Sequence, residues 1–351
     1  MLFDCIVVGS HLRFDGVRQR PQHVLGRLAR RVPVLVVEEP FLGLRDDDEI
    51  EQCGEISLLR PRRTDLAAAM CDPRSIAAVR AWVAGRKPLV WLYTPLGEPL
   101  AEAFSDAPLV YDRMDDLAAF ALAPEGLARR EASVLERAAL VFAGGRSLFE
   151  RVSRIGPKVR LFASGVEFEH FARAAFIAPH PLFTNLTLPV CGYTGVIDER
   201  IDFAALAALA DRPVEIVLVG PVLKLENETL PRRPNVHFTG QVAYGQLPAF
   251  MAGFDVALLP FARNAATASI SPTKTPEYLA AGLPVVSTPI ADVVADFSEA
   301  VAFGDSPGAF AEACLASLAP DPPRRERGLI LARTASWDAI VARMWNDIEG
   351  E

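Results

Sequence analysis

Short and nearly uninterrupted apolar runs alternate with helical patterns along almost the whole chain. Runs such as 3–8 and 34–37 are typical of parallel strands that are buried on both faces. A helical pattern over 73–83 follows them, and Pro73 occupies a position that the first turn of a helix accepts. Because consecutive parallel strands need a crossover, this alternation predicts βαβ units and doubly wound parallel sheets.

The alternation predicts the following elements. In the first half, strands are expected over 3–8, 34–37, 56–59, 89–93, 109–111 and 140–143, and helices over 21–31, 73–83, 125–137 and 146–154. In the second half, strands are expected over 190–193, 214–220, 236–239, 254–261 and 285–288. The helices expected there cover 202–210, 244–253, 275–281 and 306–318, with one or two closing helices over 324–348.

The alternation is interrupted once, near the middle of the chain. Residues 165–188 include Pro179, Pro181 and Asn185 and show no regular pattern. We therefore predict an α/β protein with a first Rossmann-like domain over 1–170, a linker over 171–188, a second Rossmann-like domain over 189–323, and C-terminal helices over 324–351 that pack back towards the first domain. Two such domains facing each other across a cleft would bind a ligand beyond the carboxyl ends of their strands.

Composition excludes several classes of protein. The 351 residues include 36 Lys and Arg against 44 Asp and Glu, and the net charge of −8 disfavours nucleic acid as the main partner. No apolar run reaches the ~18 residues of a membrane span. Asp4 interrupts the N-terminal apolar run, which lacks the basic leader of a signal peptide, so we expect a cytoplasmic protein. The five cysteines have no metal-binding spacing and are typical of reduced thiols.

Residues 269–288, with the sequence SISPTKTPEYLAAGLPVVST, carry the clearest chemical signal. Thr275 is a good N-cap for a short helix with Pro276 in its first turn, and Gly282 fits the position just past its end. Free backbone amides at the helix start, together with the ammonium of Lys274, would attract an anion such as a phosphate. Glu277 would accept hydrogen bonds from sugar hydroxyls. The alternative is structural, with Glu277 merely suiting a first helical turn and Lys274 solvated.

This segment resembles the donor-binding stretch of the retaining GT-B glycosyltransferases of the large group 1 (family 4-like) type. Glu277 matches the second Glu of that family's Glu-x7-Glu motif, which holds the ribose of the nucleotide. The first Glu falls at position 269, where this chain has Ser269. The resemblance implies a nucleotide diphosphate sugar as co-substrate, with UDP and GDP as alternatives, no further cofactor, retention of anomeric configuration and no essential metal.

The glycine-containing loop after the first strand of the second domain, GYTGVIDER, resembles the family loop that approaches the donor diphosphate. Gly192 and Gly195 would allow a close approach of the backbone, and Arg200 would clamp a phosphate. The alternative is a plain glycine turn with Arg200 on the surface. Gly220 follows a later strand whose loop frames the nucleotide base in the family.

Two segments of the first domain also follow the family order. The loop 9–23 contains Gly16 and Arg18, lines the acceptor side in the family, and lacks the glycine fingerprint of nicotinamide dinucleotide enzymes. Its arginines are alternatively a solvated face. After a later strand, Asp115 matches an Asp of the family motif and Asp116 adjoins it. Met114 stands where the family has a His, and its thioether cannot exchange protons. The two carboxylates are alternatively helix caps.

From the resemblance we expect a glycosyltransferase that moves a sugar to a saccharide or lipid-linked acceptor, in synthesis of cell-surface polysaccharide or glycoconjugate. The predicted catalytic residues are Asp115, Asp116, Lys274 and Arg200. The residues predicted to bind the donor are Gly16, Arg18, Tyr193, Thr194, Gly195, Arg200, Gly220, Ser271, Thr273, Lys274, Thr275 and Glu277. Peripheral contact with the inner membrane face would use the arginines of the first helix, Arg20, Arg27, Arg30 and Arg31, which are alternatively solvated. The rival functions are a sugar-nucleotide epimerase on the same fold and a non-catalytic binding module.

Overall fold

The computed structural model describes residues 3–65, 70–120, 123–156, 158–223 and 233–350. It divides into two compact units, one formed by Met1–Ala163 and Asp338–Glu351 and the other by Ser164–Trp337. The predicted linker 171–188 lies inside the second unit. Its residues pack there, because the rings of His180 and Phe250 stack with centroids 4.2 Å apart.

The first unit is an α/β layer structure. Its strands are β1 Cys5–Ser10, β2 Val34–Glu38, β3 Phe41–Leu42, β4 Ile50–Cys53, β5 Ile56–Leu59, β6 Arg62–Arg63, β7 Pro88–Leu92, β8 Leu109–Arg113, β9 Leu140–Ala143 and β10 Val159–Leu161. Its helices are α1 Arg20–Leu28, α2 Pro73–Val83, α3 Glu98–Ala103, α4 Leu127–Arg137, α5 Arg146–Val152 and, from the end of the chain, α13 Trp337–Glu349. Among the described strands the main sheet has the order β10-β9-β8-β7-β1-β2-β5-β4, with β3 and β6 paired separately.

The residues of the main sheet explain its architecture. Every residue of β1 is buried, as the apolar run predicts for a central parallel strand. In contrast, β4 pairs antiparallel to β5 at the sheet edge, and its residues show no regular alternation of buried and exposed positions. The apolar pattern therefore did not predict it. Helix α2 begins as predicted, because Asp72 accepts hydrogen bonds from the amides of Arg74 and Ser75 and Pro73 occupies the first position.

The second unit contains a fully parallel sheet among its described strands. They are β11 Val190–Thr194, β12 Glu215–Val219, β13 Val236–Gly240, β14 Val256–Leu259, β15 Val285–Ser287 and β16 Val301–Phe303. The helices are α6 Phe168–Ala172, α7 Phe203–Ala210, α8 Leu247–Met251, α9 Lys274–Ala280, α10 Ala291–Phe297, α11 Pro307–Ala316 and α12 Pro322–Thr334. Strand order is β13-β12-β11-β14-β15-β16, the doubly wound order whose direction reverses between β11 and β14. The predicted fold class is confirmed.

The closing residues form two helices. Helix α12 packs on α9, and a Cβ placed on Gly328 would lie 2.8 Å from Leu279. Helix α13 belongs to the first unit from Asp338 onward, where the ring of Trp345 contacts that of Phe3 with centroids 5.6 Å apart. Among the described helices, none has both the length and the apolar character needed to cross a membrane.

Candidate functional site

The reversal of strand order between β11 and β14 separates the loops that follow these strands. The first runs from Gly195 to Ile201 and the second begins at Pro260. The loops are joined again further out, since the amide of Ala262 donates to the carbonyl of Arg200 at 2.8 Å and Ile201 bridges to Phe261. A crevice beyond the carboxyl ends of parallel strands at such a reversal is the usual ligand site of this sheet type.

Helix α9 lies at this end of the sheet and begins one residue earlier than predicted. Thr273 is the N-cap residue, in helical conformation and without a side-chain cap. The predicted cap, Thr275, is wrong, because its amide already donates to the carbonyl of Pro272 at 3.2 Å and its Oγ1 is buried without a described partner. Pro276 carries no amide proton. Fewer free amides are therefore available here than the sequence suggests, and the attraction for an anion depends on Lys274.

The end of α9 is as predicted. Gly282 follows the C-cap with φ of +73°, a conformation that glycine adopts without penalty. Its amide donates to Leu279 and the amide of Leu283 donates to Tyr278, which together form a Schellman motif. The helix therefore has only seven residues, and its bounds are determined at both ends by backbone bonds.

Lys274, Gly195 and Tyr193 meet at the end of β11. Gly195 has φ of +149°, and a Cβ placed on it would lie 3.2 Å from Cε of Lys274 and 2.7 Å from the hydroxyl of Tyr193. The ammonium of Lys274 donates to Oγ1 of Thr273 at 3.0 Å. The Tyr193 hydroxyl donates to the carbonyl of Val196 at 3.0 Å. Glycine is thus required at 195 by its conformation and by the side chains that cover it.

Gly220 brings the loop after β12 against the loop after β11. It has φ of +147°, and a Cβ placed on it would lie 1.9 Å from the carbonyl oxygen of Gly195. The amide of Gly195 also donates to Val219 at 2.8 Å. The expected ligand approach at Gly192 is wrong, because a Cβ there would lie 2.3 Å from the Phe254 ring, so this glycine serves core packing.

Arg200 is held by a neighbour in its own loop. Its Nε and a terminal nitrogen contact both carboxylate oxygens of Asp198 at 2.7 to 3.1 Å, and its amide donates to the same side chain. Asp198 is buried, whereas the Arg200 side chain is 25% exposed. The alternative of a solvated arginine is therefore not observed, and any phosphate contact by Arg200 would share the guanidinium with Asp198.

Glu277 is a buried carboxylate whose Oε2 has no hydrogen-bond partner among the described residues. Burial raises its pKa to about 6, although the charge of Lys274 lowers it, while that of Glu167 raises it. Ser269, at the position of the missing family Glu, is also buried with a partnerless Oγ. Ser271 accepts at its carbonyl a hydrogen bond of 3.1 Å from Ser164.

In the first unit, Asp116 belongs to an ion network. Its carboxylate contacts Arg113 at 3.2 Å and also pairs with Arg151, while Arg113 contacts Glu131 at 2.8 Å. Asp116 precedes a short helical turn but does not cap it with its side chain. Asp115 is half-buried in the loop that follows β8.

Gly16 and Arg18 lie exposed in the loop after β1. Buried Glu38, which sequence reasoning missed, anchors this loop by accepting from the amide of Phe14 at 2.7 Å and from Arg13 at 3.1 Å. No sequence signal pointed to it, because a Glu at a strand end is common on protein surfaces.

Of the four arginines predicted to contact a membrane, Arg20 and Arg27 lie on α1, and Arg30 and Arg31 follow its end and are exposed. Arg20 is 2% exposed and pairs with Asp112, so its assignment to a membrane surface is wrong. Arg27 pairs with Asp338. The guanidinium of Arg31 lies 4.9 Å from the ring centre of Trp345. These three side chains make their contacts within the first unit.

Comparison with known proteins shows which family the second unit is similar to. Residues 189–319, which contain β11, β14, α9 and their flanking loops, match the family model described as glycosyl transferases group 1. This segment is therefore similar to the group 1 glycosyltransferases. The segment includes Glu277, Lys274, Arg200 and Gly220, while the first-unit candidates lie outside the match.

A curated relative of this chain is the putative teichuronic acid biosynthesis glycosyltransferase TuaH of Bacillus subtilis strain 168. The two sequences are 28% identical over 201 residues. The alignment covers 53% of this chain and 50% of TuaH, so the chain spans about half the length of that relative.

Solved structures similar to this chain share its whole fold. Sucrose-phosphate synthase from Thermosynechococcus elongatus has a TM-score of 0.79 at 18% identity, covering 99% of this chain and 98% of that one. Anabaena HepE in complex with UDP and glucose has a TM-score of 0.71 at 14% identity, covering 99% and 100%. These likenesses establish the fold of the GT-B glycosyltransferases.

Proposed function

We propose that this chain is a glycosyltransferase that transfers a sugar from a nucleoside diphosphate sugar to a saccharide or lipid-linked acceptor. One observation carries the donor part of the proposal: the buried Oε2 of Glu277, on helix α9, has no partner among the described residues. A buried carboxylate oxygen left unpaired costs free energy, which a ligand with hydroxyl donors would recover. The two ribose hydroxyls of a nucleotide are donors of this kind.

Lys274 supports the second part of the donor proposal, the binding of the diphosphate. Its side chain passes over Gly195, one of two glycines whose backbones contact each other at the strand ends. An ammonium is a point charge suited to phosphate, and backbone without side chains allows a close approach. We assign Tyr193, Thr194, Gly195, Gly220, Ser271, Thr273 and Thr275 to the walls of this donor site.

In the proposed reaction, the bond between the anomeric carbon and the diphosphate oxygen breaks, and the acceptor hydroxyl oxygen forms a bond to the same carbon. The acceptor proton goes to the departing diphosphate. Lys274 stabilises the negative charge that develops on the leaving group, which is the electrostatic contribution that such a site makes. Retention of configuration and independence of metal are parts of this proposal that come from the family resemblance.

Asp115 is proposed to act on the acceptor side, and Gly16 and Arg18 are proposed to contact the donor, since all three lie in loops after parallel strands of the first unit. Asp116 and Arg200 are proposed to act by orientation rather than proton transfer, because each already has an ion-pair partner. The teichuronic acid relative supports a role in cell-surface polysaccharide synthesis. The HepE complex supports UDP as the nucleotide.

The test combines binding and turnover. A thermal-shift panel of UDP, GDP, ADP and their sugars should raise the melting temperature with one nucleotide, because a ligand that binds the folded state stabilises it. Release of nucleoside diphosphate should then require an added saccharide or lipid-linked saccharide. Conversion of the sugar nucleotide without acceptor would indicate an epimerase instead. Binding without turnover across all donors and acceptors would indicate a non-catalytic module.

A further inference from the structure

The end of β11 at the strand-order reversal has a backbone amide that no strand can satisfy. In the part of the chain that the structure describes, β11 pairs with β14 at Cys191 and Gly192, and this pairing ends two residues before the end of β11. The amide of Gly195 points to β12 and donates a hydrogen bond to the carbonyl of Val219. Alternation along a strand sends the preceding amide, that of Thr194, to the other side. There the pairing with β14 has already ended.

The hydroxyl of Tyr278 occupies this place. It accepts the amide hydrogen of Thr194 at 2.7 Å, accepts from Oγ1 of Thr194 at 3.2 Å, and lies 3.4 Å from the Thr194 carbonyl oxygen. Tyr278 is 0% exposed and Thr194 is 1% exposed. Burial raises the pKa of Tyr278, so its hydroxyl stays neutral and can donate as well as accept.

Tyr278 and Lys274 are four residues apart on α9 and therefore project from the same face of that helix. Tyr278 contacts Thr194, and Lys274 contacts the next residue, Gly195. Helix α9 has seven residues, so one fixed side chain determines where its first residue lies. A hydrogen bond at Tyr278 thus sets the distance between the Lys274 side chain and the loop after β11.

We propose that Tyr278 is a positioning residue that places Lys274 for contact with the donor diphosphate, an inference that rests on the proposed function. The phenol does not touch the donor. It substitutes for the missing strand at the reversal and holds α9 against the end of β11. The sequence analysis assigned Tyr278 no role.

A double-mutant cycle tests this role. Binding of the nucleoside diphosphate that stabilises the wild type most, among UDP, GDP and ADP, is measured by calorimetry for Tyr278→Phe, Lys274→Ala and the double variant. We expect Tyr278→Phe to weaken binding about fivefold and Lys274→Ala about tenfold, and the double variant to resemble Lys274→Ala within about twofold. Independent contributions would instead multiply to about fiftyfold and would overturn the proposal.

Tyr111→Phe is the matched control, because Tyr111 is also a buried tyrosine with a 2.7 Å hydrogen bond, to Glu131 in the first unit. It should lower the melting temperature about as much as Tyr278→Phe and leave nucleotide binding unchanged. A Tyr278→Phe protein with a lowered melting temperature but wild-type binding shows a merely structural role. Faster hydrogen exchange at the amide of Thr194 in Tyr278→Phe would confirm that its acceptor was lost.

Phe fills the same volume as Tyr without the hydroxyl, so the variant is expected to fold. If it does not, difluorotyrosine at position 278 keeps the ring and weakens the hydroxyl oxygen as an acceptor, and it replaces Tyr278→Phe in the cycle. A wild type that binds none of the three nucleotides overturns the proposed function together with this inference. A wild type that binds, with additive effects in the cycle, overturns only the role of Tyr278.

Discussion

Arg20 and Asp112 form an ion pair inside the first unit, with Nε of Arg20 2.9 Å from Oδ1 of Asp112 and side chains 2% and 0% exposed. The guanidinium also donates to the carbonyl of Phe162 at 2.7 Å. The pair therefore joins the start of α1, strand β8 and the segment after β10. Burial raises the pKa of Asp112, and the charge of Arg20 opposes that rise.

We expect Arg20→Ala to destabilise the first unit by about 3–5 kcal/mol, because it leaves the buried carboxylate of Asp112 without its cation. Hydrogen exchange at the core amides of β1 and β8 measures this unit separately from the second one. Arg27→Ala is the control, since its partner Asp338 has a side chain that is 74% exposed. That variant should cost less than about 1 kcal/mol. Equal losses in the two variants contradict this account of Arg20.

Lys274→Ala is expected to lower kcat/KM for the donor by at least about tenfold, which corresponds to ~1.4 kcal/mol of transition-state stabilisation. The reason is the loss of the ammonium that is proposed to face the departing diphosphate. Steady-state kinetics with the donor identified by the nucleotide panel measure the effect. Lys87→Ala, at an exposed lysine of the first unit, should keep wild-type kinetics. Wild-type turnover in Lys274→Ala would remove this lysine from the mechanism.

Glu277 links stability to pH. Its pKa is about 6 in the folded protein against 4.5 for an ordinary Glu. The folded state therefore holds its proton more tightly, so stability falls as pH rises from about 4.5 to about 6 and stays level above that, a loss of roughly 2 kcal/mol. Glu277→Gln should lack this decline and be more stable than the wild type at about pH 7, as urea denaturation at several pH values would measure.

The same variant should lose donor affinity, because an amide oxygen accepts ribose hydroxyl hydrogens less strongly than a carboxylate does. Donor binding by the wild type should strengthen as pH rises through about 6, where the carboxylate ionises. Glu277→Gln should show no such dependence. Glu102→Gln, at an exposed position of α3, serves as the control for a surface carboxylate. A wild type with pH-independent donor binding over this range contradicts the role of Glu277.

Gly220→Ala should cost at least about 2 kcal/mol of stability and also weaken donor binding. The new methyl would lie 1.9 Å from the carbonyl oxygen of Gly195, at a φ of +147° that disfavours alanine. The loop after β11 must then move. Gly245→Ala is the matched control, since a Cβ there meets no atom within 4 Å, and it should change stability by less than about 0.5 kcal/mol. Denaturation and calorimetry distinguish the two variants, and similar behaviour contradicts the predicted contact.

Several features of the fold could be read from local pattern. Every strand of the two sheets with a long apolar run was predicted within a few residues, as for β5 and β9, whose bounds are identical to the prediction. The three-residue strand β16 and the half-exposed edge strand β4 were missed, because such short or weakly apolar segments carry little periodic signal. Helix α10 was also missed. The end of α9 at Gly282 was predicted from glycine chemistry alone.

What the amino-acid order determined by itself is therefore the parallel, doubly wound architecture and the segment that carries Lys274 and Glu277. Apolar periodicity and turn chemistry are properties of neighbouring residues, so they can be recognised in the sequence without a tertiary structure. The tertiary structure alone decided which charges and hydroxyls are paired. Arg20 meets Asp112 from 92 positions away and Thr194 meets Tyr278 from 84. The cost of burying an unpaired polar group acts only once distant segments are packed together, so no local pattern encodes these partners.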